Sequence, residues 1–283
     1  MSKSAGILKR RPQNSRPLPS GPYRGEVAAE ADDPLFLQAL SNPEALWSRP
    51  EAKILNEKRN RVGVVRLALS SGREIDIVVK EFSSRGIQRL KTLFLPSKAA
   101  IAWRGAVVLK DRGLATAPPL AYLEKKRRAF VERSFFLAEK VEGTEEIRAL
   151  FRALPPGELE SLLTALAGYL YSLHEQGILH RDLSDGNVLV RKNDDGRFAF
   201  HLLDTNRVRV RKKLGPLRRV KNLIRLGVPD RLQESFLQKY FGEKPLSRVL
   251  FFWYRMNKMI FTAYVSLKKR LRLRELARKL RIQ

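Results

Sequence analysis

The chain of 283 residues contains no cysteine and only three histidines. Without cysteine it can form neither a disulfide framework nor a Cys-ligated zinc site. Because the only histidines are His174, His180 and His201, an all-histidine metal site is not expected. This composition fits a reducing, cytoplasmic setting.

Long apolar stretches are also missing. No uncharged run reaches the roughly 20 residues that a membrane-spanning helix needs. The basic residues near the start are not followed by the apolar segment of a secretory signal. The sequence therefore predicts a protein that is neither secreted by that route nor integral to a membrane.

Acidic residues are scarce relative to basic ones. The sequence has 56 Lys and Arg against 29 Asp and Glu, a formal net charge of +27, and the segment from Arg207 to Gln283 alone holds 23 basic and 4 acidic residues. Such an excess of positive charge favours binding to an anionic partner. Nucleic acid, an anionic lipid leaflet and a phosphorylated glycolipid all satisfy it, and composition alone does not choose among them.

The first half of the chain predicts a flexible arm followed by strands and one helix. Residues 1–32 are rich in Pro, Gly, Ser and Arg and predict a flexible basic arm. Residues 61–82 alternate on both sides of a Ser-Gly pair, which indicates a β-hairpin with Lys80 near its end. Residues 97–113 have helical spacing, and two further strands are expected before residue 140.

The second half predicts helices around one polar loop. Residues 155–177 begin with prolines, place leucines on one face and end at a glycine, which is typical of a long amphipathic helix. The polar stretch HRDLSDGN, residues 180–187, follows, and then two strands that end at Asp204. A basic helical region at 251–283 closes the chain.

The polar loop carries residues that suit phosphoryl transfer. Asn187 at the start of one strand and Asp204 at the end of the next would lie side by side in a hairpin, where their oxygens could ligate Mg²⁺. Asp182 could then accept the proton of an attacking hydroxyl, and Lys80 could supply the cation for the other phosphates. Taken singly, Asp, Asn and Gly are ordinary turn residues, so the prediction depends on the whole set in this order.

Three stretches resemble protein kinases. HRDLSDGNVLV resembles the catalytic loop, LLDTNRV the metal-binding segment with DTN in place of DFG, and DIVVKEF the strand with the nucleotide lysine. SKAAIAWRGAVVLKDRGLATAPPLAY, with LLDTNR, is more similar to the lipopolysaccharide kinase family, the Kdo and heptose kinases of Gram-negative bacteria. The similarity covers roughly residues 45 to 210. It implies an α+β, bilobal protein-kinase-like fold with a small antiparallel β N-lobe at 33–140 and a mainly helical C-lobe at 141–250.

The resemblance also implies cofactors and residue roles. ATP and Mg²⁺ would be used, with Asp182 orienting or deprotonating a sugar hydroxyl. Asn187 and Asp204 would hold Mg²⁺, with Asn187 thereby contributing to nucleotide binding, and Lys80 would contact the α and β phosphates.

Further roles follow from the same resemblance. The backbone from Glu139 to Val141 would bind adenine. His180 and Arg181 would support the catalytic loop without reacting.

Three features depart from the family pattern. The glycine-rich loop is reduced to Gly63, so basic side chains such as Lys58, Arg59 and Arg61 would have to help cradle the phosphates. DTN lacks the Phe-Gly pair that acts as a switch in regulated protein kinases, which favours a constitutive enzyme acting on a small molecule or glycolipid.

The third departure concerns the partner of Lys80. Ala102 stands where related sugar kinases have a helix glutamate, and the helix around it holds no acid before Asp111. Either another acid, such as Glu81, would adjust the lysine, or turnover would be low.

The region 251–283 interleaves apolar and basic residues. One interpretation is a core helix of the C-lobe followed by a solvated charged helix. The preferred hypothesis for the second half is an interfacial helix on an anionic membrane surface. Nucleic-acid binding is the competing interpretation and is not expected.

These observations predict an ATP-dependent kinase that phosphorylates a sugar hydroxyl of the lipopolysaccharide inner core. The substrate would be lipopolysaccharide or another anionic glycolipid, and the enzyme would be cytoplasmic and peripheral on the cytoplasmic face of the inner membrane. The alternatives are a protein or small-molecule kinase of the same fold, and a pseudokinase scaffold that binds nucleotide or glycolipid. Which sugar and hydroxyl would be modified, and the oligomeric state, have no readable code in the sequence.

Overall fold

A computed structural model describes residues 15–57, 60–84, 86–242 and 245–271. They form two compact units. The first contains the described residues up to Gly143 together with Leu202–Val208, and the second contains Thr144–His201 and the described residues from Arg209 onward. The predicted lobe division at 140/141 lies close to the boundary after Gly143.

The first unit is built on an antiparallel sheet of seven strands. Its strands and helices are β1 (Ser15–Ser20), β2 (Tyr23–Ala28), α1 (Pro34–Ser41), β3 (Lys53–Asn56), β4 (Arg61–Ala68), β5 (Glu74–Ser83), α2 (Ile87–Lys91), α3 (Lys98–Asp111), β6 (Pro119–Arg127) and β7 (Phe130–Glu139). The strand order in the sheet is β1-β2-β6-β7-β5-β4-β3. Helix α3 packs against the sheet with the fully buried Trp103.

The predicted flexible arm at 1–32 is wrong for its described part. Residues 15–32 include β1 and β2, and Tyr23 and Val27 are buried in the core of the sheet. Proline argued against a strand, but Pro17 lies in β1 at the edge of the sheet, where a missing N–H is tolerated. Residues 1–14 of the predicted arm lie outside the described residues.

The second unit is mainly helical. Helix α5 (Pro156–Glu175) confirms the predicted amphipathic helix, because Leu162, Leu166 and Leu170 are buried at helical spacing. Its elements are β8 (Glu145–Glu146), α4 (Ile147–Ala153), α5 (Pro156–Glu175), β9 (Ile178–His180), β10 (Val188–Lys192), α6 (Pro216–Leu223), α7 (Gln233–Phe241) and α8 (Arg248–Arg270), and two strands, β11 (Phe198–Leu202) and β12 (Val208–Val210), border the segment that belongs to the first unit.

Helix α8 begins before the predicted domain boundary. The division at 250/251 falls inside α8 and is therefore wrong, since the apolar periodicity already starts at Val249. One face of α8 is buried through Tyr254 and Asn257, whereas Phe252 and Met259 are exposed. Among the described residues, no helix has the length and apolar content to cross a membrane. Residues 272–283, which make up most of the predicted interfacial second half of this region, lie outside the described residues.

Candidate active site

Lys80 lies on β5, on the face of the sheet that carries Val62 and Val78. The register pairs Lys80 with Val62 and Val78 with Val64, which places these side chains on one side of the sheet. The Lys80 side chain is 22% exposed and forms an ion pair with the carboxylate of Asp204. The predicted nucleotide lysine and the predicted metal ligand are thus brought together within the first unit.

Asp204 lies in the turn after β11 and has a left-handed backbone with φ of 54°. Aspartate tolerates this conformation better than most residues. The second carboxylate oxygen lies 3.7 Å from Arg207 Nε. The turn therefore presents one carboxylate between two cations.

Helix α3 holds this turn through small residues. The Thr205 hydroxyl donates to the Ala102 carbonyl at 2.8 Å, and a Cβ added at Gly105 would lie 2.1 Å from the Thr205 carbonyl oxygen. Ala102 and Gly105 therefore permit a close approach of helix and turn. The missing helix glutamate is explained by this packing, since Lys80 takes its carboxylate partner from the turn instead.

Glu81 does not adjust Lys80, so that hypothesis is wrong. Neighbouring residues of a strand point to opposite faces, and Glu81 is buried on the other face, where it accepts from Trp47 Nε1 at 2.9 Å. Arg61 pairs in register with Glu81 and lies 4.8 Å from the centroid of the Trp47 ring. Arg61 is thus on the wrong face to help cradle phosphates beside Lys80, while Lys58 and Arg59 lie outside the described residues.

The face of the sheet that bears Lys80 also bears a cavity of about 480 Å³. Within it, Arg66 Nε lies 2.9 Å from Asp76 Oδ1 and Lys140 Nζ lies 3.1 Å from Asp76 Oδ2. These two contacts lower the pKa of the Asp76 carboxyl. The cavity is lined by Glu51, Lys53, Leu55, Val64, Arg66, Asp76 and Lys140.

The predicted adenine segment, Glu139 to Val141, leaves β7 beside this cavity. The Glu139 N–H donates to the Pro118 carbonyl at 2.8 Å, and the Lys140 N–H donates to the Asp76 carbonyl at 2.9 Å. These two donors are therefore engaged within the unit, and the roles of Glu139 and Val141 in binding adenine stay predictions.

The predicted catalytic loop is ordered by Asn187. The Asn187 amide nitrogen donates to the Asp182 carbonyl at 2.8 Å and to Ser184 Oγ at 3.2 Å. This orientation directs the amide nitrogen to the loop and leaves Oδ1 as the atom that can ligate a cation. Asn187 thus fits the donor set of a magnesium site, and the structure brings it together with Asp182 in the second unit.

The Asp182 carboxylate forms an ion pair with Arg225, in the turn after α6. The same stretch contacts the loop twice more. Asn222 Nδ2 donates to the His180 carbonyl at 2.8 Å, and the Gly227 N–H donates to Asp185 Oδ1 at 2.6 Å. We call residues 222–227 the clamp segment. No motif in the sequence marked it, because it lies about 40 residues from the loop that it contacts.

The two predicted support residues differ in burial. His180 is fully buried and Arg181 is exposed. A second buried histidine, His174 on α5, supports the clamp segment, because its Nε2 lies 3.0 Å from Asn222 Oδ1 and its Nδ1 2.7 Å from the Tyr240 hydroxyl. Burial lowers the pKa of His174 to about 4, so the ring is neutral at pH 7.

The chain is similar to kinases in comparisons with a family model and with known proteins. A model of the lipopolysaccharide kinase (Kdo/WaaP) family matches residues 70–246. The chain is 30% identical over 132 residues to a 3-deoxy-D-manno-octulosonic acid kinase of Pasteurella multocida, which is 46% of this chain and 50% of that protein. It is also 35% identical over 65 residues to the serine/threonine-protein kinase PknI of Mycobacterium tuberculosis, which is 23% of this chain and 11% of that protein. The match therefore spans half the length of the first relative and about a tenth of the second.

A solved structure described as WaaP in complex with acyl carrier protein covers 76% of this chain and 90% of its own, with a TM-score of 0.55 and 22% identity. This likeness shows the fold. The α+β, protein-kinase-like fold expected from the sequence is thereby confirmed.

Proposed function

Because the chain belongs to the lipopolysaccharide kinase (Kdo/WaaP) family, we propose that it transfers the γ-phosphoryl group of ATP to a sugar hydroxyl of the lipopolysaccharide inner core. The observation that carries the proposal is the ion pair of Lys80 and Asp204, two residues 124 positions apart. A lysine and a carboxylate on the face that bears the cavity suit a phosphate chain with its cation.

The nucleotide would be held by the first unit. The adenine ring would enter the cavity on the Lys80 face of the sheet, and Lys80 would bind the α and β phosphates. Asp204 and Asn187 have the oxygen donors that Mg²⁺ prefers. When bound, Mg²⁺ would neutralise charge on the phosphates.

The transfer would require a base in the second unit. The sugar oxygen would form a bond to the γ phosphorus, the bond from that phosphorus to the β,γ-bridging oxygen would break, and ADP would leave. Asp182 would orient the hydroxyl and take its proton. General-base catalysis of this kind contributes about 10²-fold to 10⁴-fold to the rate.

The test is transfer from labelled ATP to purified lipid A-core acceptors. We expect Asp182→Asn to lose at least about 10²-fold in turnover. The matched control is Asp194→Asn, a loss of the same charge at an exposed position in the turn after β10, and it should transfer like the parent. Equal transfer by parent and Asp182→Asn would reject Asp182 as the base.

A protein acceptor is the second candidate, and the similarity to PknI over 65 residues favours it. Label on protein with none on glycolipid, in the same assay, would select this candidate. Label on neither acceptor would favour the pseudokinase alternative.

The proposed location is the cytoplasmic face of the inner membrane, with α8 as the contact. The helix has no acidic residue between Arg248 and Arg270, so its charge suits anionic headgroups, and apolar side chains beside basic ones suit the membrane interface. Its exposed apolar side chains are Val249, Phe252, Met259, Ile260, Tyr264 and Leu267.

A further inference from the structure

The clamp segment contacts the catalytic loop at three successive places. Asn222 binds the backbone of the loop before the candidate base, Arg225 binds the base itself, and Gly227 binds Asp185 after it. A Cβ at Gly227 would lie 2.2 Å from Asp185 Oδ2, so a larger residue there would push the Asp185 carboxylate away from the Gly227 N–H. Among these contacts only that of Arg225 reaches the carboxylate that would take the proton.

Arg225 touches one oxygen of that carboxylate. The guanidinium binds Asp182 Oδ1. A carboxylate bound through one oxygen to a planar guanidinium loses rotational freedom and keeps the other oxygen for a proton donor. Oδ2 is therefore the atom that remains to accept the sugar proton.

Helix α8 also contacts Arg225 and the residue after it. The Phe261 ring lies 5.1 Å from the guanidinium carbon of Arg225, a cation–π distance. Lys258 Nζ donates to the Leu226 carbonyl at 2.5 Å, and burial lowers the pKa of this lysine. The residues of α8 thus fix both the side chain of Arg225 and the backbone next to it.

The ion pair itself contributes little to folding. The side chains of Arg225 and Asp182 are 39% and 32% exposed, and ion pairs with this exposure add little to stability. A role in positioning the carboxylate accounts for an arginine that contacts both Asp182 and Phe261 of α8.

We propose that Arg225 is a positioning residue for Asp182, held in its orientation by Phe261 of α8. The proposal rests on the proposed function, since it takes Asp182 as the base. It adds a residue outside the family's catalytic-loop motif and extends the active-site support to α8.

The experiment compares the parent chain of 283 residues with Arg225→Met, Arg225→Lys and Phe261→Leu in transfer from labelled ATP to lipid A-core acceptors. We expect kcat to fall about 10²-fold for Arg225→Met, because misplacement of a reacting group by about 1 Å has that effect, while KM for ATP changes less than about threefold. Arg225→Lys should recover part of the loss, and Phe261→Leu should lose about threefold to tenfold. The control Arg218→Met removes the same charge from an exposed position of α6 and should match the parent.

A double-variant cycle separates positioning from structural support. If Arg225 acts through Asp182, Asp182→Asn combined with Arg225→Met should be no slower than Asp182→Asn alone. Additive losses, an unchanged kcat in Arg225→Met, or a loss explained by a lower thermal midpoint would overturn the proposal.

ATP hydrolysis, with water as acceptor, is measured in the same samples. If the parent hydrolyses ATP but phosphorylates no glycolipid, the proposed function is contradicted. The kcat values of the Arg225 variants and the parent would then be compared for ATP hydrolysis. A parent inactive in both reactions would overturn both proposals, since Asp182 would then be no base.

Discussion

The two candidate catalytic carboxylates are each paired with a cation, but in different surroundings. Asp204 and Lys80 are 20% and 22% exposed and join a strand of a seven-stranded sheet to a turn packed on α3. Asp182 and Arg225 are 32% and 39% exposed and join two turns of the helical unit. The deeper pair is part of the packing of its unit, whereas the shallower pair orients a side chain. Disturbing the surroundings of Asp204 should therefore affect folding, and disturbing those of Asp182 should mainly affect turnover.

The largest expected change in stability concerns the buried support of the clamp segment. The folded pKa of His174 is about 4, against an ordinary value of 6.5. The unfolded chain therefore binds the additional proton first, and the neutral ring stabilises the fold above pH 6.5 but progressively less as the pH falls toward 4. We expect the free energy of unfolding to fall by roughly 3 kcal/mol over this range. Urea titrations at several pH values measure it.

The control for this prediction is His174→Gln, which cannot titrate. Its stability at pH 7 should be lower than that of the parent, but its dependence on pH between 6.5 and 4 should be flatter. Parallel curves for parent and variant would contradict the assignment to His174.

The next effect concerns the turn of Asp204. In Gly105→Ala the added Cβ would lie 2.1 Å from a backbone oxygen, that of Thr205, so helix or turn must move. We expect a loss of about 2 kcal/mol in unfolding free energy, together with weaker nucleotide binding. Gly168→Ala in α5 is the matched control, because its Cβ meets nothing within 4 Å, and it should gain about 0.5–1 kcal/mol. Equal stability of the two variants would refute the close packing.

Gly227→Ala is the counterpart in the clamp segment. Its Cβ would meet a side-chain carboxylate, that of Asp185, which can rotate away at the expense of one hydrogen bond. The expected loss in stability is therefore smaller, about 1 kcal/mol, with kcat reduced about tenfold because the catalytic loop is less well held. A larger loss of stability in Gly227→Ala than in Gly105→Ala would contradict the claim that the surroundings of Asp204 matter more for folding than the clamp segment.

The smallest effect on folding is expected at the exposed face of α8. Met259→Glu changes a side chain that is 66% exposed and should alter stability by less than about 0.5 kcal/mol. Flotation with anionic vesicles should nevertheless fall about tenfold, since a charge replaces an apolar contact at the interface. Thr262→Glu, which replaces an exposed polar residue of α8 instead of an apolar one, should reduce flotation much less. Equal flotation of Met259→Glu and the parent would exclude this face as the lipid contact.

The residues inside recognisable motifs were predictable from the sequence. Alternation around a Ser-Gly turn placed Lys80 near the end of a strand, and that is confirmed. The loop spacing likewise brought Asp182 and Asn187 together, as the structure shows. Local sequence patterns are sufficient to predict the position of a residue when its partners are close in sequence or when it lies on a regular helix or strand.

The partners of these residues were not predictable. Arg225 reaches Asp182 across 43 positions, and no spacing rule connects a turn to a distant loop. The pairing of Lys80 with Asp204 depends on the absence of side-chain bulk at Ala102 and Gly105, which in the sequence looked only like a missing glutamate. Long-range packing of backbone on backbone leaves no periodic signal.

The most direct test is calorimetric titration of a non-hydrolysable ATP analogue with Mg²⁺ into the parent chain of 283 residues, Asp204→Asn and Asp182→Asn. Asp204 is proposed to bind the nucleotide and its cation, and Asp182 is proposed to accept the proton of the acceptor hydroxyl. Asp204→Asn should therefore bind at least about tenfold more weakly, as expected for the loss of a charged contact, while Asp182→Asn should bind within about twofold of the parent and yet transfer phosphate at least about 10²-fold more slowly. Normal binding by Asp204→Asn, or lost binding by Asp182→Asn, would contradict these roles.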